Sequence, residues 1–451
     1  MGIKSLFYLI GIISFNQPWV MSLLFILFYA GLGVYAMNRP VAAVVLYFGT
    51  SIMNPQARYP LFLGAPMAKI AAGLCLISCL INLKKLTFRM SPVLLPMIAF
   101  LIMANIATFT ALNSELANQR FEEFNKIGLM VLLTIWVVAD RKNFDFLFWG
   151  VLGCLSYNVL KNLVETQTFG EWVTIHGVAG WIADSNDWAL ALAMSLPLFY
   201  AALAMHWNRG WKIRVILGAA AAGAVLTLTM TSSRGGFLAM AGSGLVFLFM
   251  DRKPTRAVMA AAAIAIVVSF YMPSTYVDRV KSIFGLENVV EESWNKEDVN
   301  YGDGEDYTGA ERAYYWRVAY EIMMDHPMTG VGWGNFIEEF KRRENLTDGV
   351  VAHSTWFQVG SESGIPGLAT FALMILSSLV ALLRAWLKAR SQNDSWAEMY
   401  TRAIFSGIIA FCLGATFISR ENSELLFIYI AMSAILPPLV SGTLENKKAA
   451  P

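Results

Sequence analysis

The chain has 451 residues, 57% of them hydrophobic, 15% charged and 13% aromatic, with a mean hydropathy of +0.52. Soluble chains of this length carry about 25% charged residues, and here the apolar residues gather into runs long enough to cross a bilayer, which excludes a soluble enzyme, a secreted disulfide scaffold and a disordered chain. The net charge of +2 hides a sorting of 34 basic and 32 acidic residues to opposite sides, and no basic domain stands apart to bind nucleic acid.

A hydrocarbon core of about 30 Å needs roughly 17–25 apolar residues per helix. In chain order, such runs fall at 19–37, 64–81, 92–112, 144–163, 188–206, 213–230, 364–387, 402–418 and 424–440. Shorter runs at 3–15, 41–53, 126–139, 236–250 and 257–272 complete a set of fourteen. One or two of these are short enough to be re-entrant or interfacial. The expected fold is an all-α polytopic membrane protein of about 12–14 transmembrane helices. The run at 3–15, with Lys4 at its start, looks like a signal peptide, but no small-x-small cleavage site follows it, so it reads as retained. Cys75, Cys79, Cys154 and Cys412 all lie in apolar runs without neighbouring His or Asp, and read as small core residues.

Basic residues orient the bundle, because cytoplasmic loops are enriched in Lys and Arg. With the N-terminus in the cytoplasm, alternation places 19 of the 34 basic residues inside, among them Lys84, Lys85, Arg89, Arg141, Arg214, Arg252 and Arg390. Only six of the 32 acids join them. Both termini then come out cytoplasmic. The chain divides into an N-terminal transmembrane bundle (1–272), a large external loop or cap (273–363) and C-terminal transmembrane helices (364–451). The loop holds 17 acidic and 8 basic residues with Tyr, Trp and Gly in quantity, and reads as a folded, partly helical cap. A smaller external loop, roughly 164–187, carries Glu165, Glu171, His176, Asp184, Asn186 and Asp187. No internal repeat is visible.

Topology explains the cytoplasmic arginines but not Arg58, Arg120, Arg234, Arg279, Arg312, Arg317, Arg342, Arg343 and Arg420 outside. Arg234 sits in Thr231-Ser232-Ser233-Arg234-Gly235-Gly236, at the outer rim between two apolar helices. A membrane-edge arginine calls for an anionic partner. That partner is a structural ion pair or lipid phosphate on one reading, and a specifically clamped phosphate on the other. In Glu311-Arg312-Ala313-Tyr314-Tyr315-Trp316-Arg317, helical spacing puts Arg312 and Trp316 on one face with Arg317 near. Pro327 ends that helix, and Gly330-Val331-Gly332-Trp333-Gly334 reads as a tight turn and not as a dinucleotide fingerprint. His353-Ser354, then Ser361-Glu362-Ser363-Gly364-Ile365-Pro366-Gly367, marks re-entry into the membrane. Of the four histidines, His206 reads as a cytoplasmic interface residue and His326 as a helix cap, whereas His353 stands where an embedded donor and an external acceptor meet.

These last features occur together and in order, and the pattern resembles the O-antigen ligase and polymerase superfamily of bacterial membrane proteins. The matching pieces are Ser233-Arg234-Gly235, Arg312 with Trp316, Asp325-His326-Pro327, Gly330-Val331-Gly332, Gly334-Asn335-Phe336, His353-Ser354 and Gly364-Ile365-Pro366-Gly367. Trp181-Ile182-Ala183-Asp184-Ser185-Asn186 is similar to the segment ahead of the family's central spans, and Met53-Asn54-Pro55 resembles ligases of the O-glycosylation type. Ser354 departs from the pattern, since many members carry Asn after the His.

The resemblance implies a GT-C-like glycosyltransferase in the bacterial inner membrane that works at the periplasmic face. Its donor is a glycan on undecaprenyl pyrophosphate. Its acceptor is a hydroxyl of the lipid A–core oligosaccharide in the ligase branch, a second repeat unit in the polymerase branch, and protein Ser or Thr in a third. The activated sugar–phosphate bond removes the need for a nucleotide, and no P-loop is present. On this reading Arg234 and Arg312 grip the pyrophosphate, and Arg317, Arg120 and Arg58 supply further positive charge. His353 is the general base of a metal-independent, inverting displacement. Asn186, Asp187 or Glu362 orients the acceptor or His353. No cofactor is expected, and the partners are the two lipid-linked substrates and membrane lipids, with no nucleic acid. Asp303-Gly304-Glu305-Asp306 reads as a solvated loop, with a divalent-cation site as the alternative. A transporter of lipid-linked glycan is the rival from another class. It would show charges buried mid-span, for which Lys69 and Asp145 are the residues to examine.

Overall fold

The structure is a computed structural model that describes residues 18–169, 184–253, 309–346 and 349–440, with single positions elsewhere between 177 and 262. The run at 3–15, most of that at 257–272, His176, Trp181–Ala183, Arg279 and the Asp303–Asp306 cluster lie outside the described residues.

The described residues are helical and contain no strand. In chain order the helices are α1 (Pro18–Asn38), α2 (Pro40–Met53), α3 (Pro55–Arg58), α4 (Met67–Ile81), α5 (Leu94–Phe109), α6 (Ser114–Val137), α7 (Arg141–Phe169) and α8 (Ser185–Met205). They continue as α9 (Trp211–Met230), α10 (Arg234–Phe249), α11 (Gly309–Asp325), α12 (Phe336–Glu344), α13 (Thr355–Ser391), α14 (Ser395–Gly414) and α15 (Glu424–Val440). Proline stands at the first helical position of α2 and α3, where its missing N–H costs nothing. Four segments are long and apolar enough to cross a membrane: Arg141–Val164, α8, α9 and α13. Ser22–Asn38, α4, α5, α10 and α15 are shorter apolar helices. Leu23, Leu27, Val34, Leu80, Phe109 and Phe249 stay exposed on outer faces, which only a lipid solvent tolerates in such number. The chain is a polytopic membrane protein.

One hydrophobic core runs through the bundle from Ala36 to Leu439. At its centre α8, α10 and α14 pack on one another, and α13 packs on α5 and α14. Lipid gives no hydrophobic drive between helices, so close approach relies on small residues. A Cβ on Gly236 of α10 would stand 2.5 Å from Ala189 Cβ of α8, and one on Gly414 of α14 would stand 2.5 Å from Leu190 Cδ1.

The two ends of the bundle differ. At one end the basic residues gather and cap carbonyls or meet the few acids there. Arg89 Nη2 donates to the Val138 carbonyl (2.9 Å), Arg252 Nε to Glu398 (2.8 Å) and Arg252 Nη2 to the Arg390 carbonyl (2.9 Å). Arg141 pairs with Asp394, and Arg402 with Asp251. At the other end α11 and α12 build a cap with its own small core of Tyr314, Tyr315, Val318, Phe336 and Phe340.

The cap is stitched to the bundle by glycines. Gly330, Gly332 and Gly334 all have positive φ, and Trp333 between them is fully buried against Phe124, ring centroids 4.5 Å apart. α13 is broken at Gly364, whose φ of 71° and ψ of −176° no other residue type adopts cheaply. The carbonyls freed by the break are satisfied from the glycine turn. Val331 N donates to the Ser361 carbonyl (2.9 Å) and Gly332 N to that of Glu362 (3.0 Å), while Ile365 N donates to the Pro327 carbonyl (2.8 Å). Irregular backbone at a membrane edge survives only when protein buries it in this way. The residues before the break, 355–363, form a buried lip ahead of the span proper.

Candidate functional site

The capped end collects three helix N-termini and one short turn. Asn113 caps α6 by accepting from Glu115 N (3.0 Å), and Asp184 caps α8 by accepting from Asn186 N (2.7 Å). Ser233 caps α10 by accepting from Gly236 N (3.2 Å), and its hydroxyl donates to Asn186 Oδ1 (2.7 Å). Arg234 is therefore the first helical residue of α10, held beside the start of α8. The turn is 415–423, between α14 and α15.

His353 lies where the loop from the cap meets that turn. Its backbone is left-handed, with φ of 48°, and among the described residues Ser232, two positions before Arg234, shares this trait at φ of 56°. The other positive-φ residues besides glycine are Asn54, Asn345 and Asn393, which tolerate the region better. Such strain persists only where its surroundings hold it. Here Ala352 N donates to Gln358 Oε1 (2.9 Å), and Ser354 N donates to Ser419 Oγ (3.2 Å). Ser419 Oγ in turn donates to the same Gln358 Oε1 (3.2 Å). Gln358 Nε2 donates to the buried carboxyl group of Glu362 (2.6 Å), whose pKa burial raises to about 8. Thr355 Oγ1 donates to the Ile418 carbonyl (2.6 Å) and accepts from Arg420 N (2.9 Å). The residues on both sides of His353 are thus laced to the turn.

From the cap side, Trp316 Nε1 donates to the His353 carbonyl at 3.4 Å, and its ring stacks on Phe357 with centroids 5.7 Å apart. Arg312, one helical turn earlier on α11, stands close enough to act on the imidazole electrically. Burial, with the Arg312 charge second and Asp184 opposing, lowers the His353 pKa from 6.5 to about 4. The imidazole is neutral at ordinary pH and able to accept a proton.

Arg420 of the turn ties this corner to α8 by pairing with the buried carboxylate of Asp187. Burial alone would weaken the Arg420 charge, but the bond to Asp187 and the nearby Glu421 and Asp184 carboxylates raise its pKa above the usual guanidinium value. On its far side Arg420 lines a cavity of about 610 Å³ between α6, the Gly334 turn, the α13 lip and the 419–421 segment. Arg120 and Glu362 line it as well. Arg120 donates to Glu123 (2.9 Å), and burial of its charge is more than offset by Glu421, Glu123 and Glu362, which raise its pKa.

The expected site residues other than Arg58 stand at the capped end. Arg234, Asn186 and Asp187 stand at the α8–α10 rim, His353 and Arg312 at the cap junction, and Arg120 and Glu362 in the cavity wall. Arg317 is engaged on its own helix, 3.5 Å from Glu321 and over the Tyr314 ring. Arg58 ends α3 beside the Phe25, Tyr59 and Phe62 cluster and is not among the residues lining the cavity. Glu362 accepts from Gln358 Nε2 and so reaches the backbone around His353 through Gln358. Among the described residues no group of three or more His, Cys, Asp or Glu side chains is placed to hold a metal ion. The two charges examined as mid-span both sit at helix ends. Lys69 is in the first turn of α4, paired with Glu122 (2.6 Å), and Asp145 is near the start of α7, accepting from Trp396 Nε1 (2.9 Å) and Tyr400 (2.8 Å).

Residues 219–372 match the family model described as O-antigen ligase. That stretch is a member of the O-antigen ligase superfamily. It holds Arg234, Arg312, Arg317, the glycine turn, His353 and Glu362. Residues 20–171, with Arg58 and Arg120, match a second model, described as a family of unknown function (DUF5935). No curated protein matches the chain. The O-antigen ligase region carries a ligase- or polymerase-type activity in general.

Sequence reasoning left out Gln358, Ser419, Arg420 and Glu421. Arg420 counts among the external arginines but was given no role, and it lies beyond both matched stretches. The available signal was the polar run Ser419-Arg420-Glu421-Asn422-Ser423-Glu424, set between two apolar helices on the outer side.

Proposed function

We propose that this protein is an O-antigen ligase-type glycosyltransferase. It moves a glycan from undecaprenyl pyrophosphate to a hydroxyl of the lipid A–core oligosaccharide, at the periplasmic face of the inner membrane, with both termini cytoplasmic. Residues 273–363 form the cap over the site, between the bundles 1–272 and 364–451. The observation that carries the reading is a neutral histidine beside Arg312 at the polar, capped end of a bundle that contains an O-antigen ligase-family stretch.

The acceptor hydroxyl attacks the anomeric carbon, a new C–O bond forms, and the bond from that carbon to the pyrophosphate breaks. The hydroxyl proton passes to the His353 imidazole, and the electron pair leaves on the pyrophosphate. Arg234 and Arg312 stabilise that growing negative charge, and Arg120 and Arg317 add to the local field. Fixed guanidinium groups are effective because they need no reorganisation as the charge develops. A single displacement inverts the anomeric centre. The chemistry takes place at one face, in keeping with Lys69 and Asp145 at helix ends and not along a path.

The test is reconstitution of the purified protein with a lipid-linked glycan and three acceptors: lipid A–core, a second repeat unit and a serine-bearing peptide. Transfer to the first is expected, persisting in EDTA. Arg234→Ala is expected to lower it by about 10²–10³-fold. Preferred transfer to either other acceptor would move the protein to the polymerase or protein-glycosylating branch.

A further inference from the structure

The cavity beside the histidine differs in chemistry from the α8–α10 rim that holds Arg234 and the cap junction that holds Arg312. Its wall carries four basic residues, Lys69, Arg120, Lys126 and Arg420, and four acidic ones, Glu122, Glu123, Glu362 and Glu421. Burial raises the Glu362 pKa to about 8, so a diphosphate entering it would meet the carboxylates of Glu122, Glu123 and Glu421. At about 610 Å³ it falls within the range of small-molecule sites.

Most of its charged groups already have partners. Lys69 pairs with Glu122, and Arg120 and Asn422 both donate to Glu123 (2.9 and 3.1 Å). Two polar atoms stand out. Glu421 is only 6% exposed, yet no described residue hydrogen-bonds to its Oε2. Arg420 Nε, on the adjacent residue, is also buried without a partner among the described residues, although the other end of the guanidinium holds Asp187. A buried carboxylate oxygen lacking a donor is costly unless a ligand supplies one. The donor that fits Glu421 Oε2 is a neutral hydroxyl, and a hydroxyl also accepts, as Arg420 Nε requires. Gln119 lines the same space and offers a further donor–acceptor pair.

We infer that this cavity is a saccharide subsite, in which Glu421 and Arg420 bind sugar hydroxyls of the donor glycan or of the acceptor oligosaccharide while the diphosphate stays outside it, with Arg234 and Arg312. The inference rests on the glycosyl-transfer reading, but its test reads binding and not turnover, so the two fail separately.

The experiment uses the full-length protein in lipid nanodiscs and three probes: bare undecaprenyl pyrophosphate, the same carrier bearing its glycan, and the delipidated acceptor oligosaccharide. Glu421→Ala is expected to weaken one of the two saccharide-bearing probes by about tenfold to a hundredfold, the range for hydrogen bonds to a charged group. Affinity for the bare carrier is expected to stay at the wild-type value. Weakening of the glycan-bearing carrier assigns the cavity to donor sugars, and weakening of the free oligosaccharide assigns it to the acceptor. Glu421→Gln, which keeps the shape and loses the charge, decides the same question if the alanine variant does not fold. Equal weakening of the bare carrier, or unchanged affinity for both saccharide-bearing probes, overturns the inference.

Discussion

At His353, burial and the Arg312 charge both work against protonation, and Asp184 only partly offsets them. The folded-state pKa of about 4 lies below the ordinary 6.5. The ring is thus unprotonated through the neutral range, as a base must be. Between those two values the unfolded chain takes up a proton that the folded one refuses, so stability falls as pH drops through that window and is unaffected above it. The acid limb of kcat/KM is expected near pH 4, and Arg312→Gln is expected to move it upward toward 6.5. A pH–rate profile checks this, and a limb that does not move removes Arg312 from the neighbourhood of the base. The backbone around His353 makes a second expectation. Gln358 anchors the residues on both sides of it, so Gln358→Leu is expected to lower kcat by about 10–100-fold, more than it raises KM, because small misplacements of reacting groups are costly. Steady-state kinetics on the purified variant decide the point. His353 itself was legible in the sequence, since few histidines exist and one sits at a membrane re-entry. Gln358 and Ser419 were not, because their role arises from a turn that returns to the loop from more than sixty residues away.

Among the elements, the long apolar runs were readable because hydrocarbon thickness fixes their length, and α8, α9 and α15 fall within a few residues of the expected runs. Two elements differ from the reading for identifiable reasons. The short run at 126–139 is the inner part of α6, whose outer half carries Glu115, Arg120, Glu122, Glu123 and Lys126 and rises above the apolar layer. The span expected to begin at 364 is preceded by a helical lip from Thr355, continuous with it apart from the break at Gly364. The glycines at 330–334 read as a loop turn and are one, but their docking onto Ser361 and Glu362 depends on backbone bonds that no local pattern announces. Gly364→Ala tests that joint. Its Cβ would lie 2.7 Å from the Met328 carbonyl carbon at a φ of 71°. A loss of at least about 1–3 kcal/mol is expected, read as a lowered Tm in detergent or nanodiscs. An unchanged Tm would show that the break is not a fixed joint.

For the whole molecule, the proposed function rests on the asymmetry between a basic end and a capped end. The positive-inside rule assigns the end with Arg89, Arg141, Arg252 and Arg390 to the cytoplasm. Glu115 at the capped end and Gln392 at the basic end are both exposed. A membrane-impermeant maleimide added to intact spheroplasts is expected to label Glu115→Cys and spare Gln392→Cys, and the reverse pattern would place the site on the wrong side for a periplasmic transfer. The central claim is that a neutral histidine, set beside arginines that hold a diphosphate leaving group, deprotonates the acceptor. Single-turnover transfer of a lipid-linked glycan by reconstituted wild-type and His353→Ala protein tests this most directly. A fall of about 10²–10⁴-fold in the variant, with donor binding retained, is the predicted result, and transfer at the wild-type rate would contradict it.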